Sequence, residues 1–301
     1  MGEMEKAQSL EDQMNRGFRL SEKSLIRKEI IMSIVLKSCK LKTHLLHFFT
    51  FIVLVALSVS VSVADLKEGL VGYWPMDGDG KDAIGNGLDG EVKGDVKPVE
   101  DRFGNPNSAL NFPGLASSNV TISDTAKLQI IGAMTLAAWV IADSKMTDIL
   151  NGRIISKMAG GGSRSWSLNI ESGGLPATFQ IASDGNNVLE AADTTPLPTN
   201  KWVHIAGVFR PGKSLEVYVN GELKGDNTAN IPKEQFSKNN QPVLIGSRND
   251  CDNCGWLGSI DDVVVYGRDL SQAEIVKLMN NGPTASIEPR EKLAIAWGAI
   301  K

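Results

Sequence analysis

From Asp65 onward the chain is written in short apolar-alternating runs that recur every ten to fifteen residues. Runs of this length and regularity read as the strands of an all-β sandwich or barrel rather than as helices. In order they are Gly69–Trp74, Gly90–Val92, Ala109–Phe112, Val120–Ile122, Met134–Val140, Arg153–Lys157, Ser165–Ile170, Ala177–Ile181, Trp202–Phe209, Ser214–Val219, Glu222–Lys224, Val243–Ile245 and Gly258–Tyr266. Alternation places Trp202, His204, Ala206 and Val208 on one face of their strand, and Val203, Ile205 and Phe209 on the other. Asn220-Gly221 suits a tight hairpin turn whose two central residues both need positive φ. Thirty glycines and twelve prolines punctuate the chain instead of pooling in a linker, which favours one large domain over two. A sandwich of roughly 200 residues buries a sizeable core without disulfides or metal.

One segment past Asp65 breaks the pattern. Ser271-Gln272-Ala273-Glu274 is a capping box, in which the serine and glutamate side chains each satisfy a free backbone N–H. Ile275, Leu278 and Met279 then share a helical face, and Gly282-Pro283 stops the helix. Its apolar stripe is expected to pack against the sandwich edge. Residues 284–301 read as a peripheral tail with a short strand around Leu293–Trp297.

The first 64 residues stand apart. Leu45–Ala64 reads LLHFFTFIVLVALSVSVSVA, follows Lys37, Lys40 and Lys42, and ends in the small-x-small pattern Ser62-Val63-Ala64. A basic flank, an apolar stretch and a small-residue site describe a secretory signal peptide, cleaved after Ala64. The alternative is an uncleaved anchor, since about 20 apolar residues can cross a bilayer. Met32 makes an ordinary start for such a leader. Residues 1–31 then read as an extension from a misplaced start codon, 32–64 as the signal peptide, and 65–283 as the domain. The mature protein is expected to be secreted or in the cell envelope, with no membrane span.

Charge and cysteine content narrow the partners. The formal charge is −4 overall, and residues 65–301 carry 22 basic and 29 acidic side chains. With no basic cluster, nucleic acid is excluded as a partner, because phosphate contacts need concentrated Lys and Arg. Cys39 falls in the leader, which leaves Cys251 and Cys254. In an exported chain a C-x-x-C pair reads as a small disulfide loop. A zinc ribbon is excluded, because tetrahedral zinc needs two further ligands and His204 is the sole mature histidine. A redox dithiol is the weaker alternative, as no βαβ pattern surrounds the pair.

Four segments in order resemble laminin-G-like jelly-roll domains of the concanavalin A-like lectin/glucanase superfamily. They are Gly69–Gly80 with Asp82 and Gly85-Asn86-Gly87; Met134–Val140; Lys201–Phe209 leading to Val217–Gly221; and Gly258–Tyr266 followed by Arg268-Asp269-Leu270-Ser271 and the helix. The resemblance implies two antiparallel sheets of six or seven strands, with the first and last strands neighbours in one sheet.

That superfamily also holds glycoside hydrolases, which resemble this fold but carry E-x-D-x-x-E or E-x-D-x-E on one strand. Retaining hydrolysis needs two carboxyl groups roughly 5 Å apart. No such string occurs here. Asp261 and Asp262 are adjacent, and adjacent strand residues are expected on opposite faces. A serine triad would depend on His204, which reads as a half-exposed strand residue, and no G-x-S-x-G elbow is present. No catalytic residue is assigned.

The resemblance implies instead a binding module that uses rim loops, in some relatives with calcium. Calcium needs six to eight oxygens. Asp77, Asp79 and Asp82 follow the first strand, and Asp261 lies on the last; if those strands are neighbours, Asp77 and Asp261 converge. The alternative makes Asp77–Gly80 a glycine-rich turn and Asp261 a buried carboxylate. Asn249, Asp250, Asp252 and Asn253 form a second, weaker oxygen cluster. Sugar recognition favours an exposed aromatic beside amides and carboxylates. The candidate contacts are Trp166, Asp184, Asn186, Phe236 and Trp256, while Trp74, Trp139 and Trp202 are assigned to the core. Two ligands fit: a glycan or glycoprotein, or another surface protein bound without sugar specificity.

N-terminal sequencing of the exported protein should begin at Asp65. An intact N-terminus retained in the membrane would contradict the leader assignment.

Overall fold

The computed structural model describes residues 65–283 except 149, 150, 172–175 and 238, together with the helical residues 27, 29, 32 and 33. Chain contacts divide it into units 1–63 and 64–301, and the architecture below is that of the second. The leader over Leu45–Ala64 and the short strand around Leu293–Trp297 lie outside the described residues. Among the described residues, no helix is long and apolar enough to cross a membrane.

Among the described residues, fifteen strands and one α-helix follow Asp65. The strands are β1 (Leu70–Trp74), β2 (Gly90–Lys93), β3 (Lys97–Val99), β4 (Ala109–Pro113), β5 (Asn119–Ile122), β6 (Met134–Ala142), β7 (Arg153–Met158) and β8 (Arg164–Ile170), then β9 (Pro176–Ala182), β10 (Val188–Pro196), β11 (Val203–Arg210), β12 (Ser214–Val219), β13 (Glu222–Asn227), β14 (Val243–Ile245) and β15 (Leu257–Tyr266). Helix α1 (Gln272–Asn281) closes the domain. The first sheet has eight strands in the order β13-β12-β11-β6-β15-β4-β3, with β1 also on β15; the second has seven, β10-β9-β8-β7-β14-β5-β2. Every pairing of named strands is antiparallel, and β1 and β15 are neighbours with Trp74 opposite Val263. The jelly-roll sandwich expected from the strand pattern is the architecture found.

Two strands were not legible in the alternation. β3 is Lys97-Pro98-Val99, an edge strand pairing only with β4, where a proline costs no ladder bond. β10 pairs only with β9 and has mixed burial, so its alternation is blurred. The first sheet, with eight strands, therefore exceeds the implied six or seven, while the second, with seven, matches it.

The inner faces of both sheets meet in one apolar layer. Leu136, Ala138 and Val140 of β6, Val203, Ile205 and Phe209 of β11, and Ile260, Val263 and Val265 of β15 face Trp166, Leu168 and Ile170 of β8 and Phe179 and Ile181 of β9. Burying each large side chain stabilises by about 1.5–3 kcal/mol. Gly207 permits the close approach, since a Cβ there would lie 2.3 Å from Cγ of Phe179. Asn220 and Gly221 both adopt positive φ, as the hairpin requires.

The capping box forms: Ser271 accepts from the Glu274 N–H, and Glu274 accepts from the Ser271 N–H. The helix packs elsewhere than expected. Ile275 and Leu278 lie against Ala137, Ala206, Val208, Val264 and Tyr266, on the outer face of the first sheet rather than its edge. The small residues Ala137 and Ala206 on the central strands leave the room that a helix needs.

Candidate functional site

The residues proposed for calcium occupy the outer side of the first sheet, next to the β1–β15 pairing. A β-bulge interrupts β15 between Asp261 and Val264, and Asp262 sits at φ 48°. The bulge overturns the expectation that Asp261 and Asp262 face opposite ways, because one extra residue re-aims a side chain. Both carboxylates meet one guanidinium, Arg102 Nη1 at 2.7 Å from Asp261 and Nη2 at 2.7 Å from Asp262. Tyr73 donates to Asp262 over 2.6 Å. Burial and the charge of Asp262 push the Asp261 carboxyl up to about 8, against the pull of Arg102. Burial, then Asp262, Asp101 and Asp79, raise Asp77 above the ordinary carboxylate range, so it shares this electrostatic neighbourhood.

These residues do not fit a calcium ion. The positive charge beside Asp261 is already supplied by Arg102, and Asp79 turns to the backbone N–H of Lys81 at 3.0 Å. Asp82 accepts the backbone N–H groups of Tyr73, Ile84 and Asn86, and so organises the loop after β1. Among the described residues no group of three or more His, Cys, Asp or Glu side chains could hold a metal ion.

His204 is not half-exposed: only 2% of its surface reaches solvent. Trp139 meets it edge-on with ring centroids 5.4 Å apart, and Arg102 lies 4.9 Å over the Trp139 ring. Burial and then Arg102 lower the imidazole to about 3. Trp139 and Trp202, assigned to the core, are instead half-buried, Trp139 on the outer face.

Other expected contacts are distributed as follows. Cys251 and Cys254 form a disulfide, with Cα atoms 5.5 Å apart. Trp166 and Trp256 are fully buried in the inter-sheet core and present no surface to a ligand. Their positions beside loops suggested exposure, but strand alternation points both inward. Phe236 is half-buried beside Gly185. Asp184 staples its own turn by accepting from the N–H groups of Asn186 and Asn187, and those bonds hold its carboxyl below the ordinary range. The exposed Asn186 accepts from Arg164 through its carbonyl at 3.0 Å.

A concavity lies on the outer face of the second sheet. It is a groove of about 630 Å³ whose lining includes Arg153, Arg164, Glu171, Gln180, Glu190, Asn227 and Arg248. A second groove of about 480 Å³, bordered by Asn119, Thr121, Asp250 and Cys251, shares Arg248 with the first. Ser165, Ser167 and Asn169 of β8 and Thr178 and Gln180 of β9 alternate with the core residues, yet they are buried too. Their polar groups therefore need partners inside the protein. Arg153 Nη1 donates to Ser167 at 3.1 Å and to Gln180 at 2.9 Å. Gln180 passes its amide protons to Glu171 at 3.1 Å and Glu190 at 3.0 Å. Burial lowers the Arg153 guanidinium to about 10, with Glu171 pulling the other way. Burial likewise raises the Glu171 carboxyl.

This network was missed in the sequence. Its signal was present in Ser165-x-Ser167-x-Asn169 and Thr178-x-Gln180, the polar half of two strands whose apolar half was read correctly. No Trp, Tyr or Phe lines the first groove. The lining offers hydrogen-bonding and charged groups beside the aliphatic Met158, Val188 and Leu189.

The domain is thus a two-sheet jelly roll with a polar groove across one outer face. The laminin G branch of the concanavalin A-like lectin/glucanases superfamily is matched over residues 114–276, more than half of the chain, and the chain belongs to that superfamily. Human adhesion G-protein coupled receptor D1 is 28% identical over 104 residues, which is 35% of this chain and 12% of the receptor. The chain thus spans a small part of that relative's length. The binding domain of Paraclostridial Mosquitocidal Protein 1 is similar in structure, with TM-score 0.57 and 20% identity over 71% of this chain and 52% of that one. Domain 4 of AbnA, an extracellular arabinanase from Geobacillus stearothermophilus solved with arabinotriose, has TM-score 0.53 and 17% identity over 69% of this chain and 97% of that one. At these identities the structural likeness establishes the fold alone.

His204 generates a pH prediction. A base whose folded pKa is depressed costs stability as pH falls below its unfolded value near 6.5, because the unfolded chain takes up the proton first. Asp261, with a raised pKa, works oppositely: its contribution is lost as pH rises through about 8. Comparing wild type with His204→Leu cancels the Asp261 contribution. Between pH 7 and pH 4.5 the variant should gain on the order of 2–3 kcal/mol relative to wild type. Urea melts at the two pH values measure this, and an unchanged difference would contradict the buried neutral imidazole.

Proposed function

We propose that the domain is a non-catalytic binding module that holds a saccharide chain across the groove of the second sheet, outside the cell. The observation that carries this reading is the polar network that runs from buried Arg153 and Gln180 through half-buried Glu171 to exposed Glu190, opening into a groove whose described lining has no aromatic side chain. A ligand that suits such a surface offers many hydroxyl donors and acceptors, because each one replaces a water bond with a fixed partner. Sugars have that character; apolar peptide segments do not. The shared Arg248 carries the polar surface on toward the disulfide loop, which favours an extended ligand over a compact one. Membership of a lectin-containing superfamily and the likeness to a domain solved with arabinotriose support the same reading.

In this reading the groove's two glutamates serve as hydrogen-bond acceptors for the ligand rather than as catalysts. Glu171 and Glu190 both accept from the one Gln180 amide, a shared restraint that suits fixed acceptors better than a nucleophile facing an acid.

A glycan array probed with wild type and with the rim variants Arg164→Ala and Glu190→Gln tests the assignment. Loss of one charge-assisted hydrogen bond at such a site should weaken binding by about tenfold, 1.4 kcal/mol, with the melting temperature unchanged. Glycan binding indifferent to both variants would move the site elsewhere. Failure to bind any glycan, together with capture of a surface protein, would favour adhesion without sugar specificity.

A further inference from the structure

Lys157 lies near the end of β7 with its side chain fully buried. Its Nζ is 2.7 Å from Asp124 Oδ1, 2.8 Å from Asn239 Oδ1, 3.1 Å from the Asn239 carbonyl oxygen and 2.8 Å from the Gln241 carbonyl oxygen. These oxygens come from two segments distant in sequence, one after β5 and one before β14. A neutral amine would turn a lone pair toward one of the four acceptors, whereas an ammonium offers three donors and no acceptor. Burial lowers the Lys157 pKa and Asp124 opposes that shift.

The oxygens are themselves held in place. Asp124 Oδ2 accepts from Gln129 Nε2 at 3.0 Å. The Asn239 amide donates to the Ser163 carbonyl at 2.7 Å and to the Ser165 hydroxyl at 3.0 Å, while its Oδ1 also accepts the Gln241 N–H at 3.2 Å. A carboxylate, an amide oxygen and two main-chain carbonyls fixed around one positive charge are the donor set of a hard-cation site. The charge balance is one to one. Calcium takes six to eight oxygens, and in this cage it would leave a positive charge uncompensated. The set matches a monovalent cation.

We propose that the pocket of Asp124, Asn239 and Gln241 is a monovalent-cation site whose resident ion is the Lys157 ammonium, so that these rim segments are tied together without a metal ion. The positive charge reaches the cage on the chain itself and cannot be chelated away. Removing the side chain leaves the half-buried Asp124 carboxylate without its cation, held only by Gln129, and opens a channel the width of an alkylammonium.

Lys157→Ala tests this by thermal melting, with added potassium, n-propylammonium or choline chloride at equal ionic strength. The variant should melt roughly 10 °C below wild type, the loss typical of a broken buried ion pair in a domain this size. Potassium or n-propylammonium should restore a substantial part of that, and choline, too large to enter, should not. Equal recovery in all three salts, or no loss on substitution, would overturn the proposal. If the variant does not accumulate in folded form, wild type decides: its melting curves in chelator and in calcium should coincide, and a calcium-dependent shift would overturn it.

Discussion

The pairings of β15 hold the first sheet together. Its ten residues lie between β6 on one side and two shorter strands on the other, β4 along the first half and β1 along the second. The β-bulge falls near this handover, at Asp261 and Asp262. Ile260, Val263 and Val265 keep their place in the core on either side of it, so the extra residue disturbs the ladder without emptying the apolar layer. The bulge then places two carboxylates at one point on the outer face, where they would repel each other. Arg102, delivered by the β3–β4 loop, answers both, and its guanidinium helps to cover the Trp139–His204 pair. A change of register in β15 would undo the strand order, the ion triad and the burial of His204 together.

Polar groups on the outer faces follow one rule. Where an outer face is covered, most of its polar side chains are joined to partners in the same layer, since an unpaired buried group costs about 1–3 kcal/mol; Arg153 Nε, Asn169 Oδ1 and His204 Nδ1 are exceptions among the described residues. On the first sheet the covers are the helix, over an apolar patch, and the Arg102 loop, over a polar one. On the second sheet Arg153, Gln180 and the two glutamates form a connected network, and Lys157 anchors the rim beside it. Networks of this kind fix side-chain positions and give a ligand a prearranged set of donors and acceptors.

Strand alternation and turn chemistry made most of the fold legible. Leu136, Ala138 and Val140 had to face inward once β6 was recognised, and Asn220-Gly221 and the capping box each specify a local geometry on their own. The site was far less legible, for physical reasons. Asp77, Asp79 and Asp261 looked like oxygen ligands because the sequence shows carboxylates but not their partners, above all Arg102, which reaches Asp261 from a loop about 160 residues away in the chain. Trp166 and Trp256 looked available because they adjoin loops, yet their alternation is that of core residues. The polar half of β8 and β9 drew no assignment, because alternation alone does not reveal that these side chains are buried. The lysine cage depends on three segments meeting, which no local pattern encodes.

The central claim is that ligand is held on the outer face of the second sheet. Isotope-labelled protein titrated with its best-binding oligosaccharide, followed by amide NMR shifts, tests it most directly. The account predicts saturable shifts at Ser167, Gln180, Glu190 and Arg248, with the Asp101–Asn105 loop and Asp262 unmoved. Shifts confined to that loop and to the β1–β15 rim, with β8 and β9 silent, would contradict it.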